Sequence, residues 1–284
     1  MRIQAQIVEN YLTQDECLNL ISDLDRYVDW KNVANIHNGR LSLPNSDQTF
    51  HNLLDRSSAW SLLYSRINSQ KFLNEVQEYF EEASNNRKIT LLPLLSKKRP
   101  KWFSKVTKNS SAPLKFCSSK KLLAYFLVRI YFFIYIKIRI LIFRLIGIRF
   151  PVDILFDINK ANHGYAREIH RDSDSRLYVF LIYFNNLDSD NFGGELLLYK
   201  YKGVGIPKPQ PLEEECELSE KLAPKRGRLI IFKNNDYALH AVSELQKSAG
   251  YRYFCYGGFT LLHGKSPFIQ ESTSNFGTAF HEYL

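Results

Sequence analysis

The chain has 284 residues, 45% of them hydrophobic, which suffices for a packed core and allows one large all-β domain or two small ones. Its four cysteines, Cys17, Cys117, Cys216 and Cys255, are scattered with no Cys-x-x-Cys pair, which excludes a zinc ribbon or a redox couple and predicts free thiols in a reducing compartment. The formal charge of +9 is uneven: residues 91–150 hold 14 lysines and arginines and no acid, so subtracting 14 from +9 leaves −5 elsewhere, and an anionic partner would be met in that one segment.

Met1 to Glu9 lacks the unbroken apolar core of a signal peptide, so a cytoplasmic location is expected. Thr13-Gln14-Asp15-Glu16 has the form of a capping box, and Cys17, Leu20, Ile21, Leu24 and Val28 follow at helical spacing. A second helix is predicted from Ser58 to about Ala83, with Leu62, Leu63, Ile67, Phe72, Val76 and Phe80 among its apolar positions. These helices should cover the outside of a sheet.

Residues 91–150 form a basic, apolar insert in two halves. Ser96 to Lys121 is polar and basic and reads as a solvated loop. Leu122 to Phe150 is rich in large apolar residues, yet Arg129, Lys137, Arg139, Arg144 and Arg149 interrupt it. No uncharged run approaches the ~20 residues that span a bilayer, and each charge at mid-membrane depth costs about 3 kcal/mol. A helix lying on a membrane surface and a helix packed internally both remain open. At 100° per residue the five cations do not gather on one face, which weakens the first. So many large aliphatics make a nucleic-acid groove a poor reading.

From Val152 onward, short apolar runs are split by Gly, Asn, Asp and Pro, the pattern of an all-β region. Strands are predicted over Leu177 to Asn185, after the Gly193-Gly194 turn, over Gly227 to Phe232, and from Ala249 through Phe254. Pro207, Pro209 and Pro211, with Glu213 to Glu215, mark an exposed loop. His163 and His263 have no assigned role and read as ordinary surface or core histidines.

His170-Arg171-Asp172 and, 68 residues later, His240 carry the chemistry. Two imidazoles and one carboxylate suit a non-haem ferrous ion, occupying one face and leaving the other open. His-x-Asp suits the end of a strand, where residues i and i+2 point the same way. Taken alone, the triplet reads as a surface histidine beside a turn carboxylate; its setting among ordered strand and turn motifs decides against that.

The ordered series His170-Arg171-Asp172, Tyr183-Phe184-Asn185, Gly193-Gly194-Glu195-Leu196, Gly227 to Phe232, His240 and Gly250-Tyr251-Arg252-Tyr253 resembles the Fe(II)/2-oxoglutarate-dependent dioxygenases, specifically their prolyl-4-hydroxylase-like branch. The resemblance covers about residues 150 to 262, and Val8 to Cys17 resembles the entry segment of that branch. It implies a mainly β fold with flanking helices: a double-stranded β-helix, or jelly roll, with N-terminal helices and the basic insert. Residues 1–90 and 151–284 would then form one domain, 151–284 being the catalytic core. It implies Fe(2+) held by His170, Asp172 and His240. It also implies 2-oxoglutarate as cosubstrate, its far carboxylate clamped by Arg252 with Tyr183 adding a hydroxyl, dioxygen as the second cosubstrate, and ascorbate as reductant. A guanidinium meets a carboxylate through two parallel hydrogen bonds. For Arg252 the plain alternative is a strand ion pair; for Tyr183 it is a core aromatic. The implied reaction is oxidative decarboxylation of 2-oxoglutarate coupled to hydroxylation of an unactivated carbon. Peptidyl proline or another peptide or amino-acid substrate is the default. The same chemistry on a lipid-linked or glycan substrate, and a non-catalytic module binding a membrane surface through residues 122–150, are the alternatives.

Overall fold

The computed structural model describes residues 5–36, 39–80, 89–92, 138, 145, 150–186, 192–246, 250–262 and 264–269. Among them are two β-sheets and four α-helices. The larger sheet has the strand order β1 (Ala5–Val8), β10 (Leu229–Lys233), β7 (Arg176–Tyr183), β12 (Arg252–Leu261), β5 (Phe150–Ala161), β3 (Arg40–Pro44) and β2 (Ala34–Ile36), with β4 (Ile89–Leu91) also on β5. The smaller sheet runs β6 (Arg167–His170), β11 (His240–Val242), β8 (Leu196–Tyr201) and β9 (Cys216–Leu222). Every pairing is antiparallel except β4 with β5. Two facing antiparallel sheets with long crossings between them are a jelly roll, as expected from the sequence.

The strand β7, Arg-Leu-Tyr-Val-Phe-Leu-Ile-Tyr, is buried at every position because both faces of its sheet are covered. Tyr178, Phe180 and Ile182 face the helices and share a core with Phe50, Trp60 and Phe72. Val179, Leu181 and Tyr183 face inward and share a second core with Phe232, Phe254 and Tyr165. The period-two alternation of one strand thus separates a structural face from a face that looks into the barrel.

The helix α1 (Gln14–Tyr27) begins at the predicted capping box: Glu16 N–H donates to Thr13 Oγ1 at 3.2 Å and Thr13 N–H to Glu16 Oε2 at 2.7 Å. The single helix expected from Ser58 to Ala83 is instead two, α3 (Ser58–Ile67) and α4 (Gln70–Tyr79). Residues 81–83 lie outside the described residues. Asn68 leaves helical geometry, and the Ser69 hydroxyl donates to the Arg66 carbonyl at 2.6 Å and accepts from Phe72 N–H at 3.1 Å. One serine therefore closes the first helix and caps the second, while the apolar stripe continues across the break. A further helix, α2 (Gln48–Arg56), starts from Asp47 and was not anticipated.

The proline loop is exposed as expected at Lys208, Gln210, Leu212, Glu213 and Glu214, with a correction at two of its prolines. Pro207 and Pro211 are buried, and the Pro209 carbonyl accepts from Arg171 N–H at 2.8 Å. The loop folds back on the segment that carries His170 and Asp172. The insert falls almost wholly outside the described residues. Among the described residues, no helix is long and apolar enough to cross a membrane.

Candidate metal centre and cosubstrate pocket

The strand β6 ends on His170 and β11 begins on His240, and these antiparallel neighbours place the two histidines directly opposite each other. Their ring centroids are 4.4 Å apart. Asp172 lies two residues beyond the end of β6, as the i, i+2 argument requires. Its Oδ2 is 3.6 Å from His240 Nε2. One ligand atom from each of His170, Asp172 and His240 lies within 4.8 Å of the other two.

Each ring is oriented by its own chain. His170 Nδ1 donates to the Glu168 carbonyl at 2.8 Å, and His240 Nδ1 to the Ala238 carbonyl at 3.0 Å. A carbonyl only accepts, so Nδ1 carries the proton and Nε2 of the neutral ring keeps its lone pair. Burial, followed by the neighbouring His240, pushes the His170 pKa down to about 3, so this ring is neutral across ordinary pH. Burial of Asp172 acts to raise its pKa, but Arg176 and the two histidines outweigh it and hold the carboxyl below its usual range.

The two oxygens of Asp172 are unequal. Oδ1 accepts from Arg176 Nη1 at 2.7 Å and from the Tyr256 hydroxyl at 2.6 Å. Oδ2 is buried and has no hydrogen-bond partner. A buried acceptor left bare costs about 1–3 kcal/mol, more when charged. Two imidazole nitrogens and this oxygen form a donor set that suits a divalent iron, and a cation there would satisfy the orphan.

Arg252 is fully buried at the start of β12. Its Nη2 donates to the Tyr183 hydroxyl at 3.2 Å, and its guanidinium lies 5.0 Å from the Tyr183 ring centroid and 4.4 Å from that of Phe254. Nε and Nη1 are buried without a partner. The strand ion pair considered as the plain alternative is not present among the described residues. A buried guanidinium with two unused N–H groups fits an incoming carboxylate, so these residues fit 2-oxoglutarate as the triad fits iron.

Arg176 and Tyr256 were not singled out from the sequence. A strand arginine and a strand tyrosine carry no signal until the register brings both to one carboxylate. Glu195, within the predicted glycine motif, is buried and holds Lys221 Nζ at 2.9 Å and the Ser243 hydroxyl. This network ties β8 to β9 and to the chain after β11. His163 is exposed, and His263 lies outside the described residues.

Residues 156–259, which include His170, Asp172, Tyr183, His240 and Arg252, match the family model of the 2OG-Fe(II) oxygenase superfamily. This stretch is a 2OG-Fe(II) oxygenase domain. Its cofactor pair is Fe(2+) with 2-oxoglutarate, and the enzyme class is that of the 2-oxoglutarate-dependent dioxygenases. Among solved structures, a prolyl 4-hydroxylase from Phytophthora capsici aligns over 98% of this chain and 66% of its own, with 13% identity and a TM-score of 0.50. The chain thus spans 66% of that protein's length, and the likeness is one of fold. A Pseudomonas putida prolyl-4-hydroxylase aligns over 90% of this chain and 91% of its own, at 12% identity and a TM-score of 0.41. HygX from Streptomyces hygroscopicus, solved with nickel and 2-oxoglutarate, aligns over 93% and 85%, at 8% identity and a TM-score of 0.48. Comparison with curated protein sequences gives no match.

Proposed function

We propose that this oxygenase hydroxylates an unactivated carbon of a peptide or amino-acid substrate, peptidyl proline being the default, with iron held by His170 Nε2, Asp172 Oδ2 and His240 Nε2. The observation that carries the assignment is the bare, buried Oδ2 of Asp172 beside two histidines whose Nδ1 protons are already committed. When bound, iron and 2-oxoglutarate supply the oxidative chemistry, with dioxygen consumed and succinate and carbon dioxide released. The chain's own residues orient and exclude. The buried Arg252 guanidinium would take the far carboxylate of 2-oxoglutarate, with the Tyr183 hydroxyl beside it as a further contact. Phe232, Phe254 and Leu181 line the same inner core and limit water around the charged groups. Ascorbate is proposed as the reductant that keeps the iron ferrous, and the cytoplasm as the location.

The test is iron-dependent conversion of 2-oxoglutarate to succinate, together with untargeted peptide and metabolite profiling for a gain of one oxygen atom. His240→Ala is expected to abolish turnover while circular dichroism stays that of the wild type. Undiminished succinate release by that variant would show that the triad is misassigned. A wild type that binds iron but never consumes 2-oxoglutarate, even with cell extract as substrate, would mean a binding module.

A further inference from the structure

The two oxygens of Asp172 are distinguished by the protein before any metal is considered. Oδ1 receives a charge-assisted hydrogen bond from Arg176 and a second from the Tyr256 phenol, at 2.7 and 2.6 Å. Those two donors saturate its lone pairs. Oδ2 receives none. The donors are themselves held in place: the Arg176 side chain is 8% exposed, and its guanidinium sits 5.1 Å from the Tyr256 ring centroid. Arg176 opens β7 opposite Thr260, next to a register shift in β12, and Tyr256 lies four residues earlier on the same strand. Donors on two neighbouring strands therefore converge on one atom of a third segment.

An unrestrained carboxylate can meet a cation through one oxygen or through both. A bidentate aspartate would take up part of the open face on which 2-oxoglutarate and dioxygen must bind. Building on the metal centre proposed above, we infer that Arg176 and Tyr256 are positioning residues that confine Asp172 to coordination through Oδ2 alone. The pair fixes the carboxylate plane, withholds Oδ1 from the metal and keeps one coordination position free. Neither residue touches the metal or the cosubstrate in this role.

Co(II) serves as the probe, because its visible d–d spectrum reports coordination number. The full-length protein is titrated as wild type, Tyr256→Phe, Arg176→Met and Arg176→Lys. Phe keeps the ring on which the guanidinium packs, and Lys keeps the charge. Loss of an outer partner of a ligating side chain costs about 10–100-fold in metal affinity. Arg176→Met is expected to weaken Co(II) by that amount and to change the d–d spectrum. Tyr256→Phe is expected to show a smaller loss with a spectral change in the same direction, and Arg176→Lys to recover part of the affinity. A purely structural role would lower the apo melting temperature and leave the spectrum of the bound Co(II) unchanged. That result, or wild-type affinity in folded Tyr256→Phe and Arg176→Met, would overturn the inference. If Arg176→Met does not fold, Tyr256→Phe and Arg176→Lys decide by the same criteria. A wild type that takes up no Co(II) would overturn the metal centre itself, which is distinct from variants that bind as well as wild type.

Discussion

At the level of single residues, buried ionisable groups divide by whether they can shed their charge. Arg252 has a neutral phenol and two bare N–H groups. If it clamps a carboxylate, truncation removes a paired, buried ionic contact, commonly about 2–5 kcal/mol. Arg252→Ala should therefore weaken 2-oxoglutarate at least about 30-fold with Co(II) affinity near wild type, measured by titrating each separately. Equal loss of both would place the arginine elsewhere in the site's economy. Asp153 on β5 shows the opposite case. Its side chain accepts from the neighbouring Ile154 N–H, and burial pushes its pKa up to about 6 from 3.8. The folded state thus holds this proton more tightly than the unfolded chain. The penalty is absent below about pH 4, grows as pH rises through 6, and levels off at about 3 kcal/mol. Asp153→Asn should raise the melting temperature by roughly 5–10 °C at pH 8 and change it little at pH 4. Thermal melts at the two pH values check the sign. The convergence of His170, Asp172 and His240 was legible because donor preference selects the residue types and strand geometry the i, i+2 spacing. Arg176 and Tyr256 were not, because their role arises from cross-strand register, which depends on the shift between Phe259 and Thr260.

At the level of elements, local rules were good at starts and poor at interruptions. The capping box at Thr13 was readable because its two hydrogen bonds lie within four residues. The break at Asn68-Ser69 was hidden because the apolar stripe needed for burial runs straight through it, and hydrophobic period alone does not register a cap. Strands β7, β10 and β12 were visible as apolar runs, whereas β9 was not: its residues from Glu217 to Lys221 are exposed, so no burial pattern marks them. The turn before β10 shows what a glycine contributes to joining elements. Gly227 has φ 73°, its carbonyl accepts from Leu12 N–H at 3.2 Å, and a Cβ there would stand 2.1 Å from the Leu12 carbonyl oxygen. Gly227→Ala combines left-handed strain with a backbone clash. It should destabilise the fold by at least about 2 kcal/mol, seen as a lower urea midpoint with the slope unchanged. An unaltered midpoint would mean that the junction between β1, α1 and β10 yields freely.

At the level of the whole molecule, the amino-terminal third is woven into the larger sheet rather than appended to it: β1 pairs with β10, and β3 and β4 both pair with β5. The chain leaves this sheet after Leu92 and re-enters it at Phe150. Because Ile89 lies beside Phe150 and Leu91 beside Val152 in a parallel pair, exit and return are neighbours. Strand spacing and rise put Leu92 and Phe150 about 11 Å apart, a gap that six Gly/Ser residues span, with a typical reach of about 13 Å. The sheet therefore places no demand on what joins these two points. Replacing residues 95–147 with such a linker should leave the apo melting temperature within a few degrees of the full chain. The affinities for Co(II) and 2-oxoglutarate should be unchanged, since His170, Asp172, His240 and Arg252 all lie on the far side of the junction. The same deletion removes 13 lysines and arginines and no acid, taking the formal charge from +9 to −4 (9 − 13), so flotation with vesicles containing anionic lipid separates the two readings of the apolar half. A drop on deletion supports a membrane-surface contact, and equal flotation removes it. If the shortened chain loses its cooperative melt or its Co(II) site, the segment packs on the oxygenase domain as part of its core.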